Sequence, residues 1–297
     1  MRRALFLFNA YSHQAGPRRF YERMKEELLP FDYDLEAKTN REILTYINDK
    51  GAVAGRNLSD YDFCLYLDKD EYVAAMLEKE GMRLFNRAES IRLCDDKMLT
   101  HVALSNDGIP MPKTINAPLN YSGYEETNSF LSEVEALLSY PFVAKENYGS
   151  LGKGVFLLSN HEELVAFEKA HWNVPHLYQE FICSSFGFDH RIIVVGGHYV
   201  AGMKRINLQG DFRSNLAQGG KGEKVDIPMK YRVLAEKVAT LLGLDYGGVD
   251  LLDDPNGNPV LCEVNSNAFI TGIEETTGIN VAKCYAEHIV KTMRAKE

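Results

Sequence analysis

Two apolar runs near the end of the chain, Val249-Asp250-Leu251-Leu252 and Val260-Leu261-Cys262-Glu263-Val264-Asn265, flank the turn Asp253-Asp254-Pro255-Asn256-Gly257-Asn258-Pro259. Short apolar runs around a turn of this composition read as two antiparallel strands joined by a hairpin. Glu263 and Asn265 are two apart and share a strand face. The hairpin brings Asp250, also near an outer strand end, beside them. Two carboxylates and an amide make a hard oxygen set suited to Mg²⁺, an ion that shares its shell with phosphates. The same residues also fit a plain hairpin with surface acids, so the remainder of the chain has to decide.

At 297 residues the chain is long enough for two or three packed subdomains. A net charge of -9 argues against a general nucleic-acid binder or a binder of anionic membranes. Cys64, Cys94, Cys183, Cys262 and Cys284 form no Cys-x-x-Cys pair, as expected of reduced thiols in a cytoplasmic protein. The apolar run after Arg2-Arg3 is too short for a signal peptide and is broken by Asn9. No stretch approaches membrane-spanning length.

Residues 4–8 are continuously apolar, as in a buried parallel strand. A helical pattern over 17–29 follows. Strands are expected near 33–36, 63–67 and 82–85, with helices at 40–48 and 70–80. This alternation predicts an open α/β domain over 1–90. Asn86 reads as an N-cap with Glu89 in capping-box position, opening helical structure through Lys97 to about Asn106. Gly108-Ile109-Pro110-Met111-Pro112 ends it. A loop over 118–126, a helix over 127–138, strands at 141–145 and 155–158, a helix over 161–170 and a strand over 177–182 predict a second α+β unit, 91–180. The last unit, 181–297, has strands at 191–195 and 198–203 around a type I′-like Gly196-Gly197 turn. It continues with a helix over 228–242, the hairpin, and a final helix over 280–294.

Between two strands, Lys145 precedes Gly149-Ser150-Leu151-Gly152-Lys153-Gly154. Such glycines let backbone N–H groups approach phosphate oxygens, or simply make a turn. No P-loop spacing is present. Lys97 follows Asp95-Asp96 and reads equally as a solvated lysine. Gln179-Glu180-Phe181-Ile182 ends a strand before a loop, a hinge able to offer backbone groups and apolar side chains to an adenine, although many strands look alike. Asp189 and Arg191 alternate on one strand face, Arg205 ends the next strand, and Arg213-Ser214-Asn215 lies in a polar loop. Single surface arginines are inert; several converging ones clamp phosphate or carboxylate.

In this order the motifs resemble the ATP-grasp ligases, and most closely the RimK-like carboxylate–amine ligases. Asp96-Lys97, Gly108 to Pro112, Lys145, the glycine loop, Gln179 to Ile182, Asp189-His190-Arg191, Asp250 and Glu263-Val264-Asn265 carry the wider resemblance. Asp211-Phe212-Arg213-Ser214-Asn215 with Gly219-Gly220, and Gly272-Ile273-Glu274-Glu275-Thr276-Thr277-Gly278-Ile279, pick out the branch. The resemblance covers residues 86–283. It implies an α/β (α+β) ATP-grasp fold in which two α+β subdomains clamp ATP behind the N-terminal domain. It also implies that Lys97 and Lys145 contact ATP phosphates and that Gly149, Ser150, Gly152 and Gly154 form a lid over them. Glu180, Phe181 and Ile182 would line the adenine and Asp189 the ribose, with Arg213, Ser214 and Asn215 on the phosphate and substrate side. Asp250, Glu263 and Asn265 would hold Mg²⁺ (or Mn²⁺), two ions through a bridging Glu263.

The implied chemistry is attack of a carboxylate on the γ-phosphate, then of an amine on the acylphosphate. Arg191, Arg205, Arg213 and Asn215 are the candidates for steadying the reacting groups. Glu274 reads as a helix-entry carboxylate. The branch usually follows its metal asparagine with Pro-Gly; here the run is Ser266-Asn267-Ala268-Phe269, and this loop would face the acceptor. Substrates expected are ATP, a carboxylate donor and an amine acceptor, an amino acid or a peptide. The alternatives are peptide modification or macrocyclisation, and a catalytically silent ATP-binding module. Family analogy adds homo-oligomers.

Overall fold

The run at the start of the chain is apolar at every position because both faces of its strand are covered. In the computed structural model, which describes residues 1–12, 15–124, 129–150, 152–214 and 220–295, Ala4 to Leu7 are buried in the strand Arg2–Phe8. Tyr33–Thr39 and Phe63–Leu67 flank it, and Leu84–Phe85 completes a four-stranded parallel sheet. The helix Ala15–Leu28 buries Pro17, Phe20, Met24 and Leu28, spaced by three or four residues on one stripe. That stripe shares a core with Tyr285 and Ile289 of the last helix, Val281–Arg294. The two ends of the chain therefore build one core.

Two local expectations are corrected. The helix expected over 40–48 is only Asn40–Ile43, capped by a Thr39/Glu42 capping box and stopped at Leu44, whose φ is 40°. A small hairpin, Tyr46–Ile47 with Val53–Ala54, follows. Asn86 caps nothing: Arg87 is the N-cap of Ala88–Asp95 and makes no side-chain cap bond. The Asn86 amide instead spans the chain. It donates to Tyr246 O (2.7 Å) and Ser266 O (2.8 Å) and accepts from Asp245 N (2.8 Å) and Tyr246 N (3.0 Å). Every hydrogen-bonding group of this buried side chain thus has a partner, as its burial demands.

The second sheet is antiparallel, in the order Thr114–Asn116, His176–Glu180, Phe142–Glu146, Val155–Leu158. Its core brings Phe142 and Tyr178 against Leu131, Val134, Leu164 and Phe167 of the helices Ser129–Leu137 and His161–His171. The third, also antiparallel, runs Gly220–Glu223, His198–Asn207, Phe188–Val195, Tyr246–Asp253, Pro259–Asn265. Gly196 and Gly197, at φ 56° and 81°, make the expected tight turn. One face of this sheet packs on the helix Met229–Leu241, the other on the terminal core. Among the described residues no helix is long and apolar enough to cross a membrane.

Candidate functional site

A cleft of about 830 Å³ lies between the second and third sheets. Its upper wall begins at Asp96, which breaks what the sequence reads as one helix. The Asp96 carboxylate accepts from Met98 N (2.8 Å) and Leu99 N (3.0 Å) and starts a new helix, Lys97–Ala103. Lys97 is therefore held at a helix entry. Its ammonium donates to Gly149 O at 3.1 Å, against the glycine loop. Burial lowers the Lys97 pKa; Glu263 opposes this and Lys145 adds to it.

Lys145, on Phe142–Glu146, is buried and donates to Gln179 Oε1 at 2.6 Å. Gln179 Nε2 reaches His101 Nε2 at 2.9 Å and donates to Thr114 Oγ1 at 2.8 Å. Burial, with Lys145 nearby, pushes His101 down to about 4, so its imidazole is neutral and accepts from Gln179. The sequence reading quoted Gln179 as part of the hinge without giving it a role. An amide inside an otherwise buried apolar strand was the available signal.

Gly149, Gly152 and Gly154 have positive φ, a backbone region that favours glycine, and a Cβ on Gly154 would also press on the Glu146 carboxylate at 2.6 Å. Gly149, Ser150, Gly152 and Lys153 line the cleft, and Lys153 was not among the expected residues. At the strand end, Phe181 and Ile182 line the cleft too. Glu180 lines it as well, although its N–H is already bonded to Lys113 O (2.9 Å).

The lower wall is a buried charge cluster. Asp189 accepts from Arg205 Nε (2.7 Å) and Ser214 Oγ (2.6 Å). Arg205 also reaches Asp250 at 2.8 Å, and Arg191 donates to the same carboxylate at 2.7 Å. Burial works against the Arg205 charge, but Asp189 and Asp250 more than offset it and hold its pKa above the ordinary value. Burial likewise opposes the Asp250 charge, and the two guanidinium groups prevail and lower its pKa. Arg213 pairs with Asp211 (2.6 Å) and donates to Gly152 O (3.1 Å), tying its loop to the glycine turn. Asn215 lies outside the described residues, as does Leu151.

Asp250 and Glu263 face each other across the hairpin, and Asn265 Nδ2 is 3.4 Å from Asp250 Oδ2. The three expected metal residues therefore do come together. Asp250 is not at an exposed strand end, however; it is 2% exposed and engaged by two arginines. Among the described residues no three His, Cys, Asp or Glu side chains converge on one point. The set that remains, Glu263 and Asn265 with Asp250 behind them, is all hard oxygen and fits Mg²⁺.

A second cleft, of about 1890 Å³, opens between the N-terminal sheet and the segment after Asn265. Ser150, Arg205 and Glu263 line both clefts and mark where they join. Ser266 to Phe269 line the second, beside Asn9, Arg19, Asp68, Lys69 and Arg191. Apart from Arg191 and the loop itself, sequence reading missed this wall. Glu274 is a structural tie, bonded to Arg23 Nε (3.1 Å) and Ala282 N (2.9 Å).

Three sheets around two joined clefts define the ATP-grasp class. A RimK-domain ATP-grasp protein from Sphaerobacter thermophilus superposes with a TM-score of 0.71 at 21% identity, over 97% of this chain and 99% of that one. Residues 94–289 match the RimK-like ATP-grasp domain, and the chain belongs to that family. It is 34% identical over 227 residues to N-acetylaspartylglutamate synthase A of Homo sapiens, across 76% of this chain and 57% of that protein. It is 37% identical over 219 residues to a probable alpha-L-glutamate ligase of Legionella pneumophila, across 72% and 69%. The chain thus spans a little over half the length of the human relative.

Proposed function

We propose that the chain is an ATP-dependent ligase that joins a carboxylate to an amine. The observation that carries this reading is the junction at Ser150, Arg205 and Glu263. It connects a lysine-lined cleft to a second cleft open to an organic substrate. ATP occupies the first cleft, its adenine beside Phe181 and Ile182 and its ribose toward Asp189. Its phosphates meet Lys97, Lys145 and the backbone of the glycine loop. Arg213 reaches the phosphates from the loop below, with Ser214 beside it. Glu263, Asn265 and Asp250 would hold Mg²⁺, or Mn²⁺ with the same oxygen preference; such an ion would supply positive charge to the phosphate oxygens.

A substrate carboxylate entering from the second cleft attacks the γ-phosphorus, giving an acylphosphate and ADP. An amine then attacks the acyl carbon, loses a proton, and expels phosphate as the amide forms. The protein's part is positioning and charge: Lys97 and Lys145 face the transferred phosphoryl group, while Arg205 and Arg191 steady the carboxylate end. Two relatives carry glutamate in their names, so glutamate is the first amine to try. All five cysteines are free thiols, which supports a cytoplasmic location.

The test is Mg²⁺-dependent ADP release against pairs of N-acylated acids and amino acids, with product masses. Expected is a product equal to two substrates less water. Tight Mg-ATP binding without product from any pair would refute the small-molecule ligase and favour a silent ATP-binding module.

A further inference from the structure

The wall of the second cleft formed by residues 266–269 is tied down at its first three positions. Ser266 O accepts from Asn86 Nδ2 (2.8 Å), Asn267 Nδ2 donates to Asp68 O (2.8 Å), and Ala268 O accepts from Tyr246 OH (2.7 Å). Ser266, Ala268 and Ile270 are buried. Phe269 alone turns outward, 36% exposed, on a wall whose other members are mostly polar. Its ring lies on the backbone of Gly16. A Cβ there would meet Phe269 Cε2 at 2.7 Å, so the glycine is needed for space. The same cleft carries Arg19, which has no hydrogen bond or ion pair among the described residues.

A large ring held in one place and left in water gains when an apolar group covers it. An unpaired guanidinium in the same cleft favours an anion. We infer that Phe269, seated on Gly16, is the specificity-determining residue of the second cleft, and that it selects a carboxylate carrying an apolar side chain, as in an N-acylated apolar amino acid. The inference rests on the ligase reading for the cleft's role as the substrate seat, and it gives the loop after Asn265 to the carboxylate rather than to the amine acceptor expected from the sequence.

The test is calorimetric titration of the full chain, loaded with Mg-ADP, with N-acetyl-leucine, N-acetylglycine and N-acetyl-leucinamide. N-acetyl-leucine is expected to bind about tenfold tighter than either other probe. Phe269→Ala should abolish the preference over N-acetylglycine and keep that over the amide, while Phe269→Leu retains both. Gly16→Ala, which displaces the ring, should act like Phe269→Ala. Equal binding of N-acetyl-leucine and N-acetylglycine by the wild type overturns the inference. So does a preference that survives Phe269→Ala in a folded protein, or no binding of any probe. The ADP-release assay separates the two readings. A chain that shows the preference yet forms no product with any amine sinks the ligase reading alone. Product formation without the preference sinks this inference alone.

Discussion

The two walls of the first cleft hold their cations in opposite ways. On the upper wall, Lys97 and Lys145 donate to neutral acceptors, the Gly149 carbonyl and the Gln179 amide. On the lower wall, Arg205, with Arg191 behind it on the second cleft, donates to the carboxylates of Asp189 and Asp250, and Arg191 to Asp250. The upper charges are positioned but not cancelled. The lower ones are close to balanced. A polyanion therefore finds its counter-charge above, while the arginines below act as a rigid frame whose planar forks fix direction. Residue type alone does not rank these four cations; their partners separate two that recruit from two that support.

The contrast breaks first at Asp250. Replacing it with Ala leaves two guanidinium groups short of a counter-charge, one of them fully buried. A loss of about 3–5 kcal/mol is expected by denaturant unfolding, along with turnover. An Asp250→Ala protein as stable as wild type would show that the lower wall is not charge-balanced. Lys145→Met removes an uncancelled charge of similar burial. Nucleotide affinity, measured by titration, should fall about 30-fold, near 2 kcal/mol, with a smaller change in unfolding. If stability falls as far as in Asp250→Ala, the two walls are alike.

The smallest effect comes from His101, the neutral end of the upper network. Its folded pKa of about 4 lies below the ordinary 6.5, so protons favour the unfolded chain. The stability it preserves above pH 6.5 is lost as the pH falls toward 4. Between pH 6.5 and 5 the expected loss is about 1.5 kcal/mol. His101→Gln should show a shallower slope over that range, and an unchanged slope would remove His101 from the network.

Much of this was legible in the sequence. Period and punctuation located most strands and helices, because a continuous apolar run such as 4–8 has only one natural home. The hairpin of Asp250, Glu263 and Asn265, both lysines and the glycine turn were readable because their spacing is local. What could not be read was long-range partnership. Asn86 has the composition of a helix cap, and only the folded chain shows that its amide serves residues 245, 246 and 266. Asp250 looks like an exposed acid until Arg191 and Arg205 arrive from neighbouring strands. Phe269 and Gly16 are 253 positions apart, and no periodicity links them.

The shared core of the two chain ends also bears on how the molecule is made. Phe20 of the first helix meets Tyr246 edge-on at 5.8 Å, and the last helix covers the same face. As the chain leaves the ribosome, the N-terminal sheet and its helix emerge with that apolar face bare. Residues 193–203 and 246–273 cover part of it, and the cover is complete only when residues 281–294 are synthesised. The first helix thus waits about 250 positions for its last covering helix, and nascent chains carry a sticky surface over that span.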